Sequence, residues 1–228
     1  MKLERKYAPV ELSEVIYPNI GVKRRIQAYA DKQMEGHIIL HGPNGTGKSA
    51  IARLLAKEIG NQHPEISRMD ADELLSQPNL KKYLMEAVDY ATMTVSEKFF
   101  LILEEFDYSK KNVEKFWLAL DACGDSVMAI ITTNNPMNIN KAIRSRCDVI
   151  EMPGISADAA LSRIQYCLAA EGLKLPDQQV LHYLKLEEHH ADIREYCRIG
   201  DELLCLYGNN QPMPLWKSKQ APNPLRVV

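Results

Sequence analysis

Two groups of residues in this chain have types and spacings suited to chemistry on phosphate. Gly42-Pro43-Asn44-Gly45-Thr46-Gly47-Lys48-Ser49 fits the pattern G-x-x-x-x-G-K-[ST], a loop whose backbone N–H groups cradle phosphates. Glycines at 42, 45 and 47 let that backbone close on a ligand with no Cβ in the way. Lys48 offers a cation to the β- and γ-phosphates of a nucleotide, and Ser49 offers a hydroxyl to Mg²⁺. The second group is Glu104-Glu105, directly after an apolar run. Breaking a phosphoanhydride needs an acid to hold Mg²⁺ and a base or orienter for the attacking water. Glu104 suits the metal side, directly or through water, and Glu105 suits the water. Two solvated carboxylates at a strand end would look the same.

For this chemistry the loop must leave a strand and open a helix. His37-Ile38-Ile39-Leu40-His41 is a short apolar, β-branched run that predicts the strand. Beyond the loop, Ile51, Leu54, Leu55 and Ile59 recur at helical spacing and stop at Gly60, a C-cap. That order aims a helix N-terminus at the phosphates. Phe99 to Leu103 is a continuous apolar run, as in a strand buried on both faces of a parallel sheet, and the two acids sit at its carboxyl end. Val127 to Ile131 is another, running into Thr132-Thr133-Asn134-Asn135-Pro136. Ile66 to Asp70 and Asp148 to Met152 predict two more strands.

Helical spacing is seen over 79–91, through Leu80, Leu84, Ala87, Val88 and Ala91, and again through Val113, Phe116, Trp117 and Leu120 towards Cys123 and Gly124. An earlier helix signal begins at Val22, with Ile26, Tyr29 and Ala30 on one side. Lys23, Arg24, Arg25 and Lys32 lie on the other, a solvated face or a nucleic-acid contact. Residues 1–21, with Pro9, Pro18 and Gly21, read as an irregular lead-in. Strands alternating with helices specify an α/β fold with ligands at the carboxyl ends of the strands.

Pro153-Gly154 punctuates the chain, and three helices are predicted beyond it, near 156–171, 177–187 and 190–207, with Ser156 capping the first and Pro176 preceding the second. The expected organisation is an α/β nucleotide-binding domain over 1–153 and a three-helix lid over 154–208. An extended tail with Pro212, Pro214, Pro222 and Pro224 covers 209–228.

At 46% hydrophobic and 25% charged, the 228 residues have an ordinary globular composition. A net charge of −2 leaves no global basic footprint, so contact with nucleic acid needs a local patch or an assembled surface. Cys123, Cys147, Cys167, Cys197 and Cys205 form no C-x-x-C pair, which argues against a zinc ribbon or a disulfide framework and for a reducing compartment. Met1 to Lys6 leads into no apolar segment, and no run nears the ~20 residues that span a bilayer. A cytoplasmic protein without a membrane partner is expected.

Six motifs follow one another in an order that matches a known family. They are Lys6-Tyr7-Ala8-Pro9, Gly42 to Ser49, Leu103-Glu104-Glu105-Phe106-Asp107, Thr132-Thr133-Asn134-Asn135, Ser145-Arg146-Cys147 and Ala191-Asp192-Ile193-Arg194. The chain resembles AAA+ ATPases, and among them the small clamp-loader ATPases of the replication factor C kind, including phage relatives. The resemblance implies a P-loop fold with a helical lid, and ATP and Mg²⁺ as cofactors. It implies the polar sensor at Asn134, an arginine finger at Arg146 reaching a neighbouring subunit's ATP, and a sensor at Arg194 reaching the γ-phosphate in cis. It places Tyr7, Pro9, Val15 and Ile16 on the adenine side. Taken singly, Asn134 also reads as part of an Asn-Asn-Pro turn, Arg146 as a surface charge, Arg194 as a solvated helix residue, and the adenine-side group as packing.

The chain departs from the family pattern at Ala8, where Arg is usual, and at Asn44. A third departure is Glu104, where the shorter Asp is usual; it reaches one methylene further towards a metal that demands strict geometry. The chain ends soon after the lid, without the collar domain that joins clamp-loader subunits. The implied function is an ATP-hydrolysing module in DNA replication or repair, of phage, plasmid or mobile-element type. It would work in a homo- or hetero-oligomer with other AAA+ or collar-bearing subunits, a sliding clamp and primed DNA. A slow or inactive nucleotide switch, or a loader of a helicase, recombinase or nuclease, are the alternatives. Gln211-Pro212-Met213-Pro214-Leu215-Trp216 loosely resembles a clamp-binding peptide, or is a plain tail.

Overall fold

The structure, a computed structural model, describes residues 2–60, 65–93, 98–106, 113–134 and 145–208. Asp107, Asn135, Pro136 and the tail from Asn209, with its Gln211–Trp216 segment, lie outside them.

Five strands form one parallel sheet: β1 (His37–His41), β2 (Glu65–Asp70), β3 (Phe99–Glu104), β4 (Val127–Thr133) and β5 (Cys147–Glu151). Their spatial order is β2-β3-β4-β1-β5. The apolar runs are explained by covering both faces. Even-numbered Ile38, Leu40, Phe100, Ile102, Met128, Ile130 and Ile150 share a core with α2 (Ile20–Ala30) and α3 (Lys48–Ile59). Odd-numbered Ile39, Leu101, Leu103, Ala129 and Ile131 share one with α5 (Leu80–Met93) and α6 (Val113–Cys123). The expected α/β fold with a helix-flanked parallel sheet is the one observed.

Beyond β5, helices α7 (Ala157–Ala170), α8 (Asp177–Leu186) and α9 (Ile193–Tyr207) pack around Ile155, Ile164, Leu168, Val180, Leu184 and Tyr196. Ser156 caps α7 as expected, accepting from Ala159 N at 3.2 Å. Among the described residues no helix is long and apolar enough to cross a membrane.

From residue 2 onward, the lead-in expected to be irregular over 1–21 is more ordered than its sequence suggests. It holds α1 (Leu3–Lys6) and a single 3₁₀ turn at Leu12–Glu14. Four residues carry no readable periodicity; α1 exists because Leu3, 1% exposed, packs at Gly200 of α9 and its N–H donates to Asp201 Oδ1 at 3.0 Å. Helix α2 starts at Ile20, ahead of Val22, because the Asn19 side chain accepts from Val22 N at 2.9 Å. The helix expected over 79–91 is α5, preceded by a short α4 (Ala71–Leu75).

Candidate functional site

The loop between β1 and α3 is tied at both sides. Gly42 N donates to Thr133 O at 3.2 Å, and Ile193 N, at the start of α9, donates to Gly45 O at 3.0 Å. Gly45 has φ +72, and a Cβ there would enter the Asp192 carboxylate. Asp192 itself caps α9, accepting from Arg194 N at 2.7 Å. The helical bundle therefore docks on the apex of the loop.

Gly47, φ +84, precedes Lys48, the first residue of α3. Lys48 is 8% exposed, and its ammonium donates to Gly42 O at 2.8 Å and Pro43 O at 2.6 Å. A buried ammonium must be partnered, and here the loop's own carbonyls partner it. Burial, then the nearby Arg194 charge, holds the Lys48 pKa below its usual range, while Glu105 and Asp192 pull the other way. Thr46 is buried, its hydroxyl donating to Pro43 O at 3.1 Å.

At the end of β3 the two acids part. Glu105 has φ +53, a left-handed conformation costly for a residue with a side chain. Its N–H donates to Thr132 Oγ1 at 3.2 Å, and Phe106 N donates to Thr132 O at 2.8 Å. This turn breaks the strand's alternation and brings Glu105 to the same cleft as Thr132 and Asn134. Glu104 instead accepts from Arg68 Nη2 of β2 at 2.7 Å.

The cleft has a volume of about 390 Å³, within the range of small-molecule sites. Asn44 to Ser49, Glu105, Asn134 and Arg194 line its polar side, and Tyr7, Pro9, Val15 and Ile16 its other side. Gly42 and Pro43 sit behind, under Lys48. Tyr7 is fixed by donating its hydroxyl to Glu171 Oε1 at 2.7 Å, while its carbonyl accepts from Arg163 Nη2 at 2.9 Å. Val15 packs into the sheet core and Ile16 against the helical bundle, so this segment bridges the two.

Three positive-φ glycines, a buried Lys48 and the helix N-terminus fit a triphosphate. The oxygen donors of Ser49 and Glu104 are of the kind that Mg²⁺ prefers.

Arg146 is not brought to this cleft. It precedes β5, where Cys147 pairs with His37 at the amino end of β1, whereas the loop leaves the carboxyl end. The intervening strand of five residues puts it roughly 16 Å away at about 3.3 Å per residue. There its Nε donates to Asp121 of α6 at 3.1 and 3.2 Å.

Sequence reasoning missed several neighbours. Thr132 was legible two residues before Asn134, since alternate strand residues share a face. Arg68, a lone cation inside a predicted strand, carried a weak signal. Arg163, Glu171 and Asp121 carried none, because only the packing of distant helices gives them partners.

Residues 38–154 match the ATPase family associated with various cellular activities (AAA). The chain belongs to this family. The AAA segment runs from the first residues of β1 through β5 and so contains the loop, both acids, Asn134 and Arg146. The chain is similar to the sliding-clamp-loader large subunit of Enterobacteria phage T4, 26% identical over 207 residues, covering 85% of this chain and 61% of the relative. It is also similar to replication factor C small subunit 2 of Pyrobaculum islandicum, 23% identical over 175 residues (75% of this chain, 54% of the relative). The replication factor C small subunit of Archaeoglobus fulgidus is 24% identical with the same coverage, 75% and 54%. The chain thus spans little more than half the length of these relatives.

Proposed function

We propose that this chain binds ATP with Mg²⁺ in the cleft between the sheet and the α7–α9 bundle and hydrolyses it as one subunit of a clamp-loader-like oligomer. The observation that carries this reading is the meeting of Lys48, Glu105, Asn134 and Arg194 in one cleft at the carboxyl ends of the strands. Lys48 exchanges its loop carbonyls for the β- and γ-phosphates. Glu105 orients the attacking water, Asn134 hydrogen-bonds that water or the γ-phosphate, and Arg194 holds the γ-phosphate from the bundle. Mg²⁺, with Ser49 and Glu104 as its protein ligands, would neutralise charge on the phosphates. Tyr7, Pro9, Val15 and Ile16 take the adenine. Residues 1–153 act as the nucleotide-binding domain and 154–208 as its lid.

Arg146 lies at the far end of the sheet, which supports a role in trans as an arginine finger in a neighbour's site. Similarity to clamp-loader and replication factor C subunits supports a cytoplasmic role in DNA replication or repair. The partners would be other AAA+ or collar-bearing subunits, a sliding clamp and primed DNA, in a phage or mobile-element setting. A slow nucleotide switch is the second reading, favoured by the engagement of Glu104 with Arg68.

Steady-state and single-turnover hydrolysis separate the two. Lys48→Ala should abolish nucleotide binding, and Glu105→Gln should retain binding and abolish turnover. Arg146→Ala should be inactive alone and regain activity when mixed with Glu105→Gln. Full turnover in Lys48→Ala or Glu105→Gln would refute the site, and failure of the mixture would refute the shared site.

A further inference from the structure

The carboxylate suited to the metal already has a cationic partner. Strands β2 and β3 run parallel, with Arg68 opposite Ile102 and position 70 opposite Glu104. Side chains two residues apart share a face, so Arg68 and Glu104 both stand on the side that carries α3. Arg68 reaches along the diagonal, a separation that long side chains span, and donates from Nη2 to Glu104 Oε1 at 2.7 Å. An Asp at position 104 would end one methylene sooner, so the pair depends on the longer acid.

The direction of the pull follows from the order of the sheet. Arg68 belongs to β2, which lies on the opposite side of β3 from β4 and β1. Ser49, the other oxygen donor, lies in the first turn of α3, directly after the loop that leaves β1. The guanidinium therefore draws the Glu104 carboxylate away from Ser49. A magnesium ion needs its ligands in near-octahedral geometry at short range, so a carboxylate held towards β2 through Oε1 must swing back before it ligates an ion beside Ser49.

We propose that Arg68 is a positioning residue that competes with the divalent cation for Glu104, so that metal loading requires the carboxylate to leave the guanidinium. This rests on the reading of Glu104 as the metal-side acid. It raises the free Mg²⁺ needed for nucleotide engagement above that of a site whose acid has no cationic neighbour.

The test uses the full chain and a fluorescent, slowly hydrolysed ATP analogue, with Mg²⁺ titrated to half-saturation. Bound Mn²⁺ is followed in parallel by its electron spin resonance. Arg68→Met should lower the half-saturating Mg²⁺ by about two- to fivefold, the factor an exposed ion pair is worth. Arg68→Gln should do the same, guarding against a local packing effect of Met. In a Glu104→Asp background, Arg68→Met should change nothing, because the shorter acid does not reach the guanidinium. An unchanged or raised Mg²⁺ requirement in both Arg68 variants overturns the proposal. If Glu104→Gln shifts the Mg²⁺ dependence while the Arg68 variants do not, the metal assignment stands and only the competition fails. If Glu104→Gln leaves it unmoved, both fail together.

Discussion

Removing the Thr132 hydroxyl is the most direct way to ask whether backbone geometry sets the reactivity of this site. Thr132 is 2% exposed and accepts from Glu105 N at 3.2 Å, while its carbonyl accepts from Phe106 N at 2.8 Å. These two bonds hold Glu105 at φ +53, a conformation that costs about 1–3 kcal/mol when nothing enforces it. In Thr132→Val the carbonyl bond survives, but the Glu105 N–H loses its acceptor. The bond is only partly buried, so the stability loss falls near the low end for an unsatisfied donor, about 1 kcal/mol. In a chain of this size that lowers Tm by about 2–4 °C.

The larger effect should fall on turnover, because a relaxed backbone returns the Glu105 carboxylate towards the other face of the sheet. Misplacement of a reacting group by an ångström costs up to roughly a hundredfold, so kcat should drop by about tenfold or more, with nucleotide affinity within about twofold of the parent. Thr132→Ser, which keeps the hydroxyl, should restore most of the rate. The assay pairs steady-state ATP hydrolysis with a fluorescent-nucleotide titration and a thermal melt. A Thr132→Val protein that melts lower but turns over at the parental rate would refute the link between this turn and catalysis.

Three further outcomes follow from the geometry. Gly45→Ala places a Cβ in the Asp192 carboxylate at φ +72; it should lose about 1–2 kcal/mol from the backbone alone, and urea titration should show it less than additive with Asp192→Ala. Leu3→Ala removes the contact at Gly200 and should release the segment carrying Tyr7 and Pro9, read as faster tryptic cleavage after Arg5 or Lys6 and weaker nucleotide binding. His37 is half-buried, and its Nδ1 accepts from Ala129 N at 3.1 Å; its pKa is lowered, chiefly by desolvation, against the opposing pull of Asp121 and Asp125. A lowered pKa means the fold favours the neutral ring, so stability is whole above the unfolded value of about 6.5 and falls as pH drops below it. Denaturation midpoints between pH 7.5 and 5.5 should show that slope in the parent and a flatter one in His37→Gln.

The parts of the site most legible in the sequence were those carried by local periodicity. The apolar runs of β1, β3 and β4 are continuous because helices cover both faces, and such runs need no partner to be recognised. Glycines at 42, 45 and 47 announced a loop because only the backbone can make it. What stayed hidden depends on register or on distant packing. Arg68 and Glu104 are separated by 36 positions and meet only once β2 is aligned on β3. Asp121 meets Arg146 across 25 positions, through α6 and the approach to β5. Helix α1 is four residues long and is held from α9, so its own spacing says nothing. The turn at Glu105 was hidden for a different reason: a glutamate in the left-handed region has no signature, and only Thr132 and the buried Phe106 impose it.

The bond from Ile193 N to Gly45 O makes the loop proposed to hold the nucleotide also the seat of the α7–α9 bundle. A ligand that reshapes the loop and a protein that holds the bundle in one orientation then act on a single equilibrium. Thermodynamic reciprocity requires that whatever factor the first contributes to the second's affinity, the second contributes to the first's. Measured with the isolated chain, nucleotide affinity therefore describes one corner of a four-state cycle, and the partner's contribution can be read as the change in that affinity when the bundle is engaged.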